Sequence, residues 1–207
     1  MIQRKLRFGV LISGSGTNLQ AVIDACESGA LDAEVAVVIS NHDAARGLVR
    51  AREHGIDAVW IDRGAYASPR LYNAAIRDIL RDHVCDYVVM AGYMRLLGHE
   101  VLDFFPNRVI NLHPALLPSF PGANSIQDAL EHGVKVTGVT VHFANEEFDK
   151  GPIIAQEAVV IAEDDTLASL EARIHEVEHR ILPAALQLLA EDRVEIVGRK
   201  VRIAPKR

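Results

Sequence analysis

The sequence has little cysteine, no excess of basic charge and no long apolar run, and each shortage excludes a class of protein. Cys26 and Cys85 lie far apart without metal-ligand spacing, so we expect two core thiols. A net charge of -6 gives no electrostatic footprint for nucleic acid, and we interpret the basic residues near the C-terminus as a solvated end. The apolar run at residues 10–12 is too short for a signal peptide or a membrane span. We therefore expect a cytoplasmic protein that binds neither nucleic acid nor membrane.

A regular alternation of strand and helix patterns organises the chain. With 207 residues, 49% of them hydrophobic, it suits one well-buried domain, predicted over residues 1–207. Ser68 as N-cap and Pro69 at the first helical position predict the start of one helix. Apolar, β-rich runs, mostly separated by helical patterns, occur at residues 8–12, 35–40, 58–61, 87–90 and 109–111. Because these runs are almost continuously apolar, they indicate a parallel sheet with helices on both faces.

The C-terminal half has a different pattern. Strand patterns at residues 136–143 and 153–161 predict antiparallel members of the sheet, and residues 194–203 predict a hairpin. A long amphipathic helix is expected after Asp165, and Pro183 should kink or end it. The predicted fold class is therefore α/β and Rossmann-like, with a mostly parallel sheet, helices on both faces and antiparallel strands in the C-terminal half.

A glycine-rich loop, Gly14-Ser15-Gly16-Thr17-Asn18, stands between the first predicted strand and the first predicted helix. Glycines there let the backbone approach a ligand, and the N–H groups of a helix start favour an anion such as a phosphate. Leu19 stands where a dinucleotide fingerprint needs a third glycine, and the lysine of a Walker loop is absent. The loop therefore favours a monophosphate, with a nicotinamide dinucleotide and a purely structural turn as the alternatives.

Asn111 and His113 lie two residues apart at the end of an apolar run, and Asp149 follows in an Asp-Lys-Gly-Pro turn. Side chains at i and i+2 of an extended segment point to one side, so both can address one reacting atom. An amide can hold a developing oxyanion, an imidazolium can stabilise it or give a proton, and a carboxylate raises the imidazole pKa. Each residue alone also has a structural interpretation, as a loop amide, a buried histidine or a turn aspartate. No Ser or Cys of the sequence stands in a nucleophile elbow, which favours direct transfer between bound substrates.

A carboxylate also falls inside the apolar stripe of the long C-terminal helix. Glu178 lies on the same face as Ile174, and burial of a carboxylate is costly unless it is paired or reaches a ligand. His175 lies on the flank of that stripe. Two interpretations stay open: a ligand contact, or a structural ion pair of Glu178, for instance with Arg180 or with a basic residue elsewhere.

Taken in chain order, these motifs resemble one enzyme family. The segments are Ser13-Gly14-Ser15-Gly16-Thr17-Asn18-Leu19-Gln20, Ala91-Gly92-Tyr93-Met94-Arg95, Asn111-Leu112-His113-Pro114, Leu116-Leu117-Pro118, Pro121-Gly122, Asp149-Lys150-Gly151-Pro152 and Glu178-His179. As a set they closely resemble phosphoribosylglycinamide formyltransferase of purine biosynthesis, whereas no single segment would suffice.

The resemblance implies transfer of a formyl group from 10-formyltetrahydrofolate to the amino group of glycinamide ribonucleotide, through a tetrahedral intermediate and without a metal. Catalysis would depend on Asn111, His113 and Asp149. The residues implied to bind the ribonucleotide are Gly16, Thr17, Asn18, His175 and Glu178. The residues implied to bind the folate are Arg70, Met94, Arg95, Leu96, Leu97, Asn145, Glu146, Glu147 and Phe148. A homodimer is an expectation by analogy alone.

Three positions depart from the family pattern. Asn124 stands where the family often has a histidine, His175 stands where many relatives have glutamine, and the folate-contacting arginine of some relatives matches Pro69 or Arg70.

Two rivals from the same superfamily are disfavoured. A formyltetrahydrofolate deformylase typically has an N-terminal regulatory domain, for which we expect no room here. A methionyl-tRNA formyltransferase would need a further C-terminal domain and a basic face. From another class, a non-catalytic nucleotide-binding module would keep the glycine loop without needing Asn111, His113 and Asp149 together.

Overall fold

The computed structural model describes residues 4–206. Its chain divides into two compact units, Met1–Ile110 and Asn111–Arg207. A single domain over residues 1–207 stays a prediction. Within the described residues, no helix combines the length and apolar character that crossing a membrane requires.

The first unit is built from alternating strands and helices. In chain order these are β1 (Leu6–Ile12), α1 (Thr17–Ser28), β2 (Ala33–Ser40), α2 (Arg46–Glu53), β3 (Asp57–Trp60), a 3-10 turn (Arg63–Ala65), α3 (Pro69–Asp82), β4 (Tyr87–Met90) and α4 (His99–Leu102). The strands lie in the order β3-β2-β1-β4, and all three neighbouring pairs are parallel. The order reverses between β1 and β4, and sheets of this kind bind ligands outside the carboxyl ends of their strands at such a point.

Burial explains the continuous apolar runs of this unit. Consecutive residues of β1, such as Val10, Leu11 and Ile12, are fully buried, and so are Val37 and Val38 of β2. Successive side chains of a strand point to opposite faces, so consecutive burial means that both faces of these strands are covered.

The predicted start of α3 is also confirmed. Ser68 accepts a hydrogen bond from the Leu71 N–H at 3.2 Å, and Pro69 is the first helical residue. The Ser68 side chain thereby satisfies one N–H group of the first helical turn, and Pro69 has no N–H that would need an acceptor there.

The second unit begins within β5 and has mainly antiparallel pairs. Its elements are β5 (Val109–His113), α5 (Ser125–His132), β6 (Val136–Phe143), β7 (Ile153–Val160), α6 (Leu167–Ala190), β8 (Val194–Val197) and β9 (Lys200–Ile203). The pairs β6–β7 and β8–β9 are antiparallel, and β8 and β9 form the predicted hairpin. The predicted α/β class, with parallel strands first and antiparallel strands in the C-terminal half, is confirmed.

The helix α6 corrects one expectation from the sequence. Thr166 and Ser169 form a capping box at its start, with Ser169 N–H to Thr166 Oγ1 at 3.2 Å and Thr166 N–H to Ser169 Oγ at 3.0 Å. Pro183 does not end the helix, which continues to Ala190. Because Leu182 and Leu186 on either side of Pro183 are fully buried, their packing offsets the single backbone hydrogen bond that proline cannot donate.

Candidate active site

The glycine loop of the first unit, residues 14–18, turns from the end of β1 into α1. Gly16 is the N-cap of α1 with φ 68 and ψ 33, a left-handed conformation that favours glycine. A Cβ at Gly16 would lie 2.7 Å from the Cα of Gly47, so the loop also packs directly against the start of α2. No acidic side chain stands in the first turn of α1. The N–H groups of such a turn have no acceptor inside the helix, which makes this end a place for an anion.

The loop after β4, residues 91–98, exposes the apolar side chains that the resemblance assigns to folate. Met94 is 70% exposed and Leu96 is 71% exposed, although large apolar side chains usually pack inside. Arg95 is exposed and Leu97 is half-buried. The loop therefore presents an apolar surface that a flat aromatic ligand could cover.

Arg70, also assigned to folate, stands at the start of α3. Its side chain is 86% exposed, and its Nε lies 3.7 Å from Oε1 of Glu100. Within residues 4–206 this long ion pair is the contact found for the Arg70 guanidinium. Such exposed pairs contribute little stability.

In the second unit, Asn111, His113 and Asp149 converge. Asn111 and His113 are alternate residues of β5, so their side chains leave the strand on the same side. Asp149 has a left-handed backbone with φ 54. Position 151, two residues further on, has no room for a side chain, because a Cβ at Gly151 would lie 1.7 Å from the Phe143 carbonyl oxygen. The Oδ2 atom of Asp149 lies 3.6 Å from Nδ1 of His113, and its Oδ1 lies 3.4 Å from Nδ2 of Asn111.

The imidazole of His113 has an acceptor at each nitrogen. Nε2 lies 2.8 Å from the Phe120 carbonyl oxygen, and Nδ1 faces the Asp149 carboxylate. Burial lowers the pKa of His113 below its ordinary value, while the Phe120 carbonyl and the Asp149 charge act to raise it. Asp149 thus acts to raise the pKa of His113, as predicted, but burial has the larger effect and the net pKa is lowered. The expectation that a neighbouring carboxylate raises the imidazole pKa did not include this desolvation.

Asp149 remains ionised in spite of its burial. Its side chain is 1% exposed, and burial acts to raise its pKa. Interactions with His142, the Gly122 N–H and His113 outweigh burial, and the net pKa is lowered. The Gly122 N–H lies 3.0 Å from Oδ2. A carboxylate that accepts several hydrogen bonds keeps its charge at neutral pH.

His142 is a site residue that the motif analysis missed. It is 1% exposed, and its Nε2 lies 3.1 Å from Nδ2 of Asn111 and 3.7 Å from Oδ1 of Asp149. Its Nδ1 lies 3.0 Å from the Phe143 carbonyl oxygen and therefore donates to it, which leaves Nε2 to accept from the Asn111 amide. A signal was present, because Thr140 and His142 are alternate polar residues of β6.

A polar cluster holds the loop that follows His113. Thr140 Oγ1 donates to the Ala115 carbonyl at 2.6 Å and accepts from the Leu117 N–H at 3.1 Å. Gln156 Nε2 adds hydrogen bonds of 2.9 Å to the Leu117 carbonyl and to Thr140 Oγ1. Satisfied hydrogen-bond networks of this kind fix one backbone path, here the one that leads to Phe120 and Gly122.

The long helix α6 places Glu178 and His175 one turn apart. The side chain of Glu178 is 6% exposed, and its Oε2 lies 3.9 Å from Nε2 of the half-exposed His175. Arg180 forms its ion pair with Glu157. The ion pair observed for Arg180 is the one with Glu157, whereas the Glu178 carboxylate faces His175.

The remaining residues assigned to folate lie in the loop between β6 and β7. Asn145, Glu146, Glu147 and Phe148 are all exposed, with Phe148 at 50%. The Asn145 side chain accepts a hydrogen bond from the Glu147 N–H at 3.1 Å. This local turn leads directly into Asp149.

Comparisons with known proteins agree with one another. The formyl transferase family model matches residues 6–186. Phosphoribosylglycinamide formyltransferase of Haemophilus influenzae is 41% identical over 190 residues, which cover 92% of this chain and 90% of that protein. The trifunctional purine biosynthetic protein adenosine-3 of Homo sapiens is 43% identical over 94% of this chain, which spans only 19% of that protein's length. The crystal structure of glycinamide ribonucleotide transformylase 1 from Symbiobacterium toebii is similar with a TM-score of 0.96 and 52% identity, covering 97% of this chain and 95% of that one.

Proposed function

The chain belongs to the phosphoribosylglycinamide formyltransferase family, and from that premise we propose that it transfers a formyl group from 10-formyltetrahydrofolate to the amino group of glycinamide ribonucleotide. The observation that carries this proposal is that one ionised carboxylate of the second unit lies 3.4 Å from an amide nitrogen and 3.6 Å from an imidazole nitrogen. These are the groups that transfer of an acyl group between two bound substrates needs.

The ribonucleotide is bound through its phosphate and its polar remainder. In this proposal the phosphate binds to Gly16, Thr17 and Asn18, where the first turn of α1 offers N–H groups to an anion. Glu178 and His175 bind the rest of the molecule. The position of Glu178 supports this role, since its buried carboxylate lies one helical turn from the half-exposed imidazole of His175, 3.9 Å from its Nε2.

The folate is bound by exposed apolar and polar loop residues. The residues with this role are Arg70, Met94, Arg95, Leu96, Leu97, Asn145, Glu146, Glu147 and Phe148. The exposure of Met94 and Leu96 supports it, because the pteridine ring would remove their apolar surface from water. No metal is part of the proposed reaction.

The reaction proceeds by direct attack. The lone pair of the neutral glycinamide nitrogen forms a bond to the formyl carbon, and the carbonyl π electrons move to oxygen, giving a tetrahedral intermediate. The carbonyl then re-forms, the bond to the folate nitrogen breaks, and the proton released by the attacking nitrogen passes to the leaving nitrogen. The protein contributes by stabilising the oxygen charge and by moving that proton.

Existing hydrogen bonds define how each side chain could act. The Nδ2 of Asn111 donates to His142 at 3.1 Å and to Asp149 at 3.4 Å, and the longer, weaker bond is the one that it exchanges for the oxyanion. His113 likewise exchanges the Phe120 carbonyl for the substrate oxygen. The developing negative charge raises the pKa of His113 against the effect of burial, so the imidazole takes up the proton that the attacking nitrogen releases and then gives it to the leaving folate nitrogen.

A formyl-transfer assay tests the proposal. Product formation from 10-formyltetrahydrofolate should require glycinamide ribonucleotide, whereas release of formate without it would indicate a deformylase. No turnover with either acceptor would favour a non-catalytic nucleotide-binding module. His113→Ala should lower turnover by about 100-fold or more, because it removes the proton-transferring group. A folded His113→Ala protein with the wild-type rate would refute this assignment.

The remaining expectations belong to the same proposal. We place the enzyme in the cytoplasm, with the two small-molecule substrates as its partners, as one formyltransferase domain over residues 1–207. A homodimer is part of the proposal by analogy only, and sedimentation equilibrium over a range of protein concentrations tests it.

A further inference from the structure

One serine of the first unit connects the glycine loop to the loop after β4. The N–H of Ser13 donates to the Gly92 carbonyl at 3.1 Å. Its hydroxyl accepts from the Met94 N–H at 2.8 Å and donates to Oδ1 of Asn41 at 2.6 Å. Ser13 directly precedes the glycine loop, while Gly92 lies two residues before Met94, the first folate-assigned residue of the loop after β4.

The chemistry of this junction requires a hydroxyl. The same oxygen serves as acceptor for one loop and donor to the end of β2, which a serine or threonine side chain can do and an alanine cannot. Loss of the oxygen would leave the Met94 N–H and the Asn41 amide oxygen without this shared partner. The junction lies where the strand order reverses, between the carboxyl ends of β1 and β4.

We propose that Ser13 is a positioning residue that couples the two substrate sites, so that ordering of the glycine loop by the ribonucleotide also orders the folate loop, and the reverse. This inference rests on the proposed function, because it takes the two loops as the sites of the two substrates. The coupling is reciprocal: each ligand must raise the affinity for the other by the same factor.

Each loop also has anchors of its own, which provide comparison variants. Arg50 holds the glycine loop alone, with its Nε 2.9 Å from the Ser15 carbonyl oxygen. Tyr72 holds the folate loop alone, because its hydroxyl lies 3.0 Å from that of Tyr93. Loosening either anchor should weaken one ligand and leave the coupling in place, whereas loosening Ser13 should remove the coupling itself.

Isothermal titration calorimetry with tetrahydrofolate and glycinamide ribonucleotide measures the coupling without turnover, since neither ligand carries a formyl group. The measured quantity is the ratio of the Kd values for tetrahydrofolate without and with saturating ribonucleotide. We expect this ratio to be about five for the wild type, which corresponds to the free energy of one typical hydrogen bond, about 1 kcal/mol. For Ser13→Ala we expect a ratio near one. Tyr72→Phe should weaken the binding of tetrahydrofolate, and Arg50→Met should weaken the binding of the ribonucleotide. In both variants the ratio of Kd values should be the same as in the wild type.

The matched control is Ser40→Ala at the end of β2. The Ser40 hydroxyl also accepts one N–H, at 3.0 Å, and donates to one carbonyl, at 2.9 Å, but both belong to His42 and to neither loop. It should keep the wild-type ratio. If Ser13→Ala does not fold, Asn41→Ala, which removes the acceptor of the same hydroxyl, should reduce the ratio instead.

Several results would overturn the coupling role of Ser13. The first is a ratio of Kd values equal to one in the wild-type protein, and the second is an unchanged ratio in Ser13→Ala or in the substitute Asn41→Ala. The third is that Ser40→Ala, Tyr72→Phe or Arg50→Met loses as much coupling as Ser13→Ala. Failure of the wild type to bind either ligand or to transfer formyl would instead refute the proposed function, so the two failures can be told apart.

Discussion

Replacement of Asp149 by asparagine removes one negative charge beside His113 while keeping almost the same side-chain volume. The remaining amide oxygen can still accept the Gly122 N–H that lies 3.0 Å from Oδ2 in the wild type. The fold should therefore survive, and the electrostatic effect on His113 should be the main consequence. Because the carboxylate acts to raise the pKa of His113, its loss leaves the lowering by burial less opposed.

The size of the effect follows from the distance. The atoms Nδ1 of His113 and Oδ2 of Asp149 are 3.6 Å apart. At an effective dielectric constant of about 20, unit charges at that separation attract by about 5 kcal/mol. Full loss of this energy in the transition state would lower the rate by more than about 1000-fold. Since the asparagine dipole recovers part of it, we expect a fall in turnover of about 100-fold to 1000-fold.

The assay measures turnover at saturating substrates from about pH 5 to about pH 8.5, with thermal melting as the test of folding. The activity of Asp149→Asn should be shifted to lower pH, because more protons are needed to charge the imidazole. Asp192→Asn is the matched control, since Asp192 is also an aspartate with a left-handed backbone, at φ 52, but lies in an exposed turn. A folded Asp149→Asn variant with at least half the wild-type turnover would refute the electrostatic reasoning.

Three further predictions follow from other parts of the two units. Gly16→Ala should lower the melting temperature by about 5 °C or more and weaken ribonucleotide binding. The new Cβ would lie 2.7 Å from the Cα of Gly47, and residue 16 has a left-handed backbone that disfavours any side chain. Gly14→Ala is the control and should have neither effect, because a Cβ at Gly14 meets no atom within 4 Å. Glu178→Gln should raise the KM for the ribonucleotide by about tenfold with kcat little changed, whereas a fall in melting temperature at unchanged KM would indicate a structural role. Because burial lowers the pKa of His113, its contribution to stability is present above about pH 6.5 and is lost as the pH falls through the lowered value. Melting curves of His113→Asn between about pH 7.5 and about pH 5 should therefore show less loss of stability than the wild type, and parallel curves would contradict this.

Several elements were predictable because their causes are local. The helix start at Ser68 and Pro69 depends on one side chain and one ring, both next to the backbone that they affect. The hairpin of β8 and β9 depends on short alternating segments around Gly198. The placement of Asn111 and His113 on one side of β5 follows from the two-residue period of a strand.

Other features were missed because their causes lie far away in the chain. Pro183 was expected to kink or end α6, and it does not end the helix, because the packing of Leu182 and Leu186 carries α6 past it; the kink stays a prediction. His142 had a visible polar period with Thr140, yet its contact with Asn111 depends on how distant segments come together. Burial of His113 could not be derived from its neighbours in sequence, and it reverses the expected net direction of the pKa.

The sequence by itself determined the alternation of strands and helices, the family membership and the residue types available for chemistry, because periodicity and motifs need only neighbouring residues. Tertiary structure alone decided which atoms face one another: the Gly122 N–H on Asp149, the Phe120 carbonyl on His113, and the Ser13 hydroxyl between two loops. The physical reason is that these contacts depend on loop closure and desolvation, whose free energies belong to the folded chain and to no single segment.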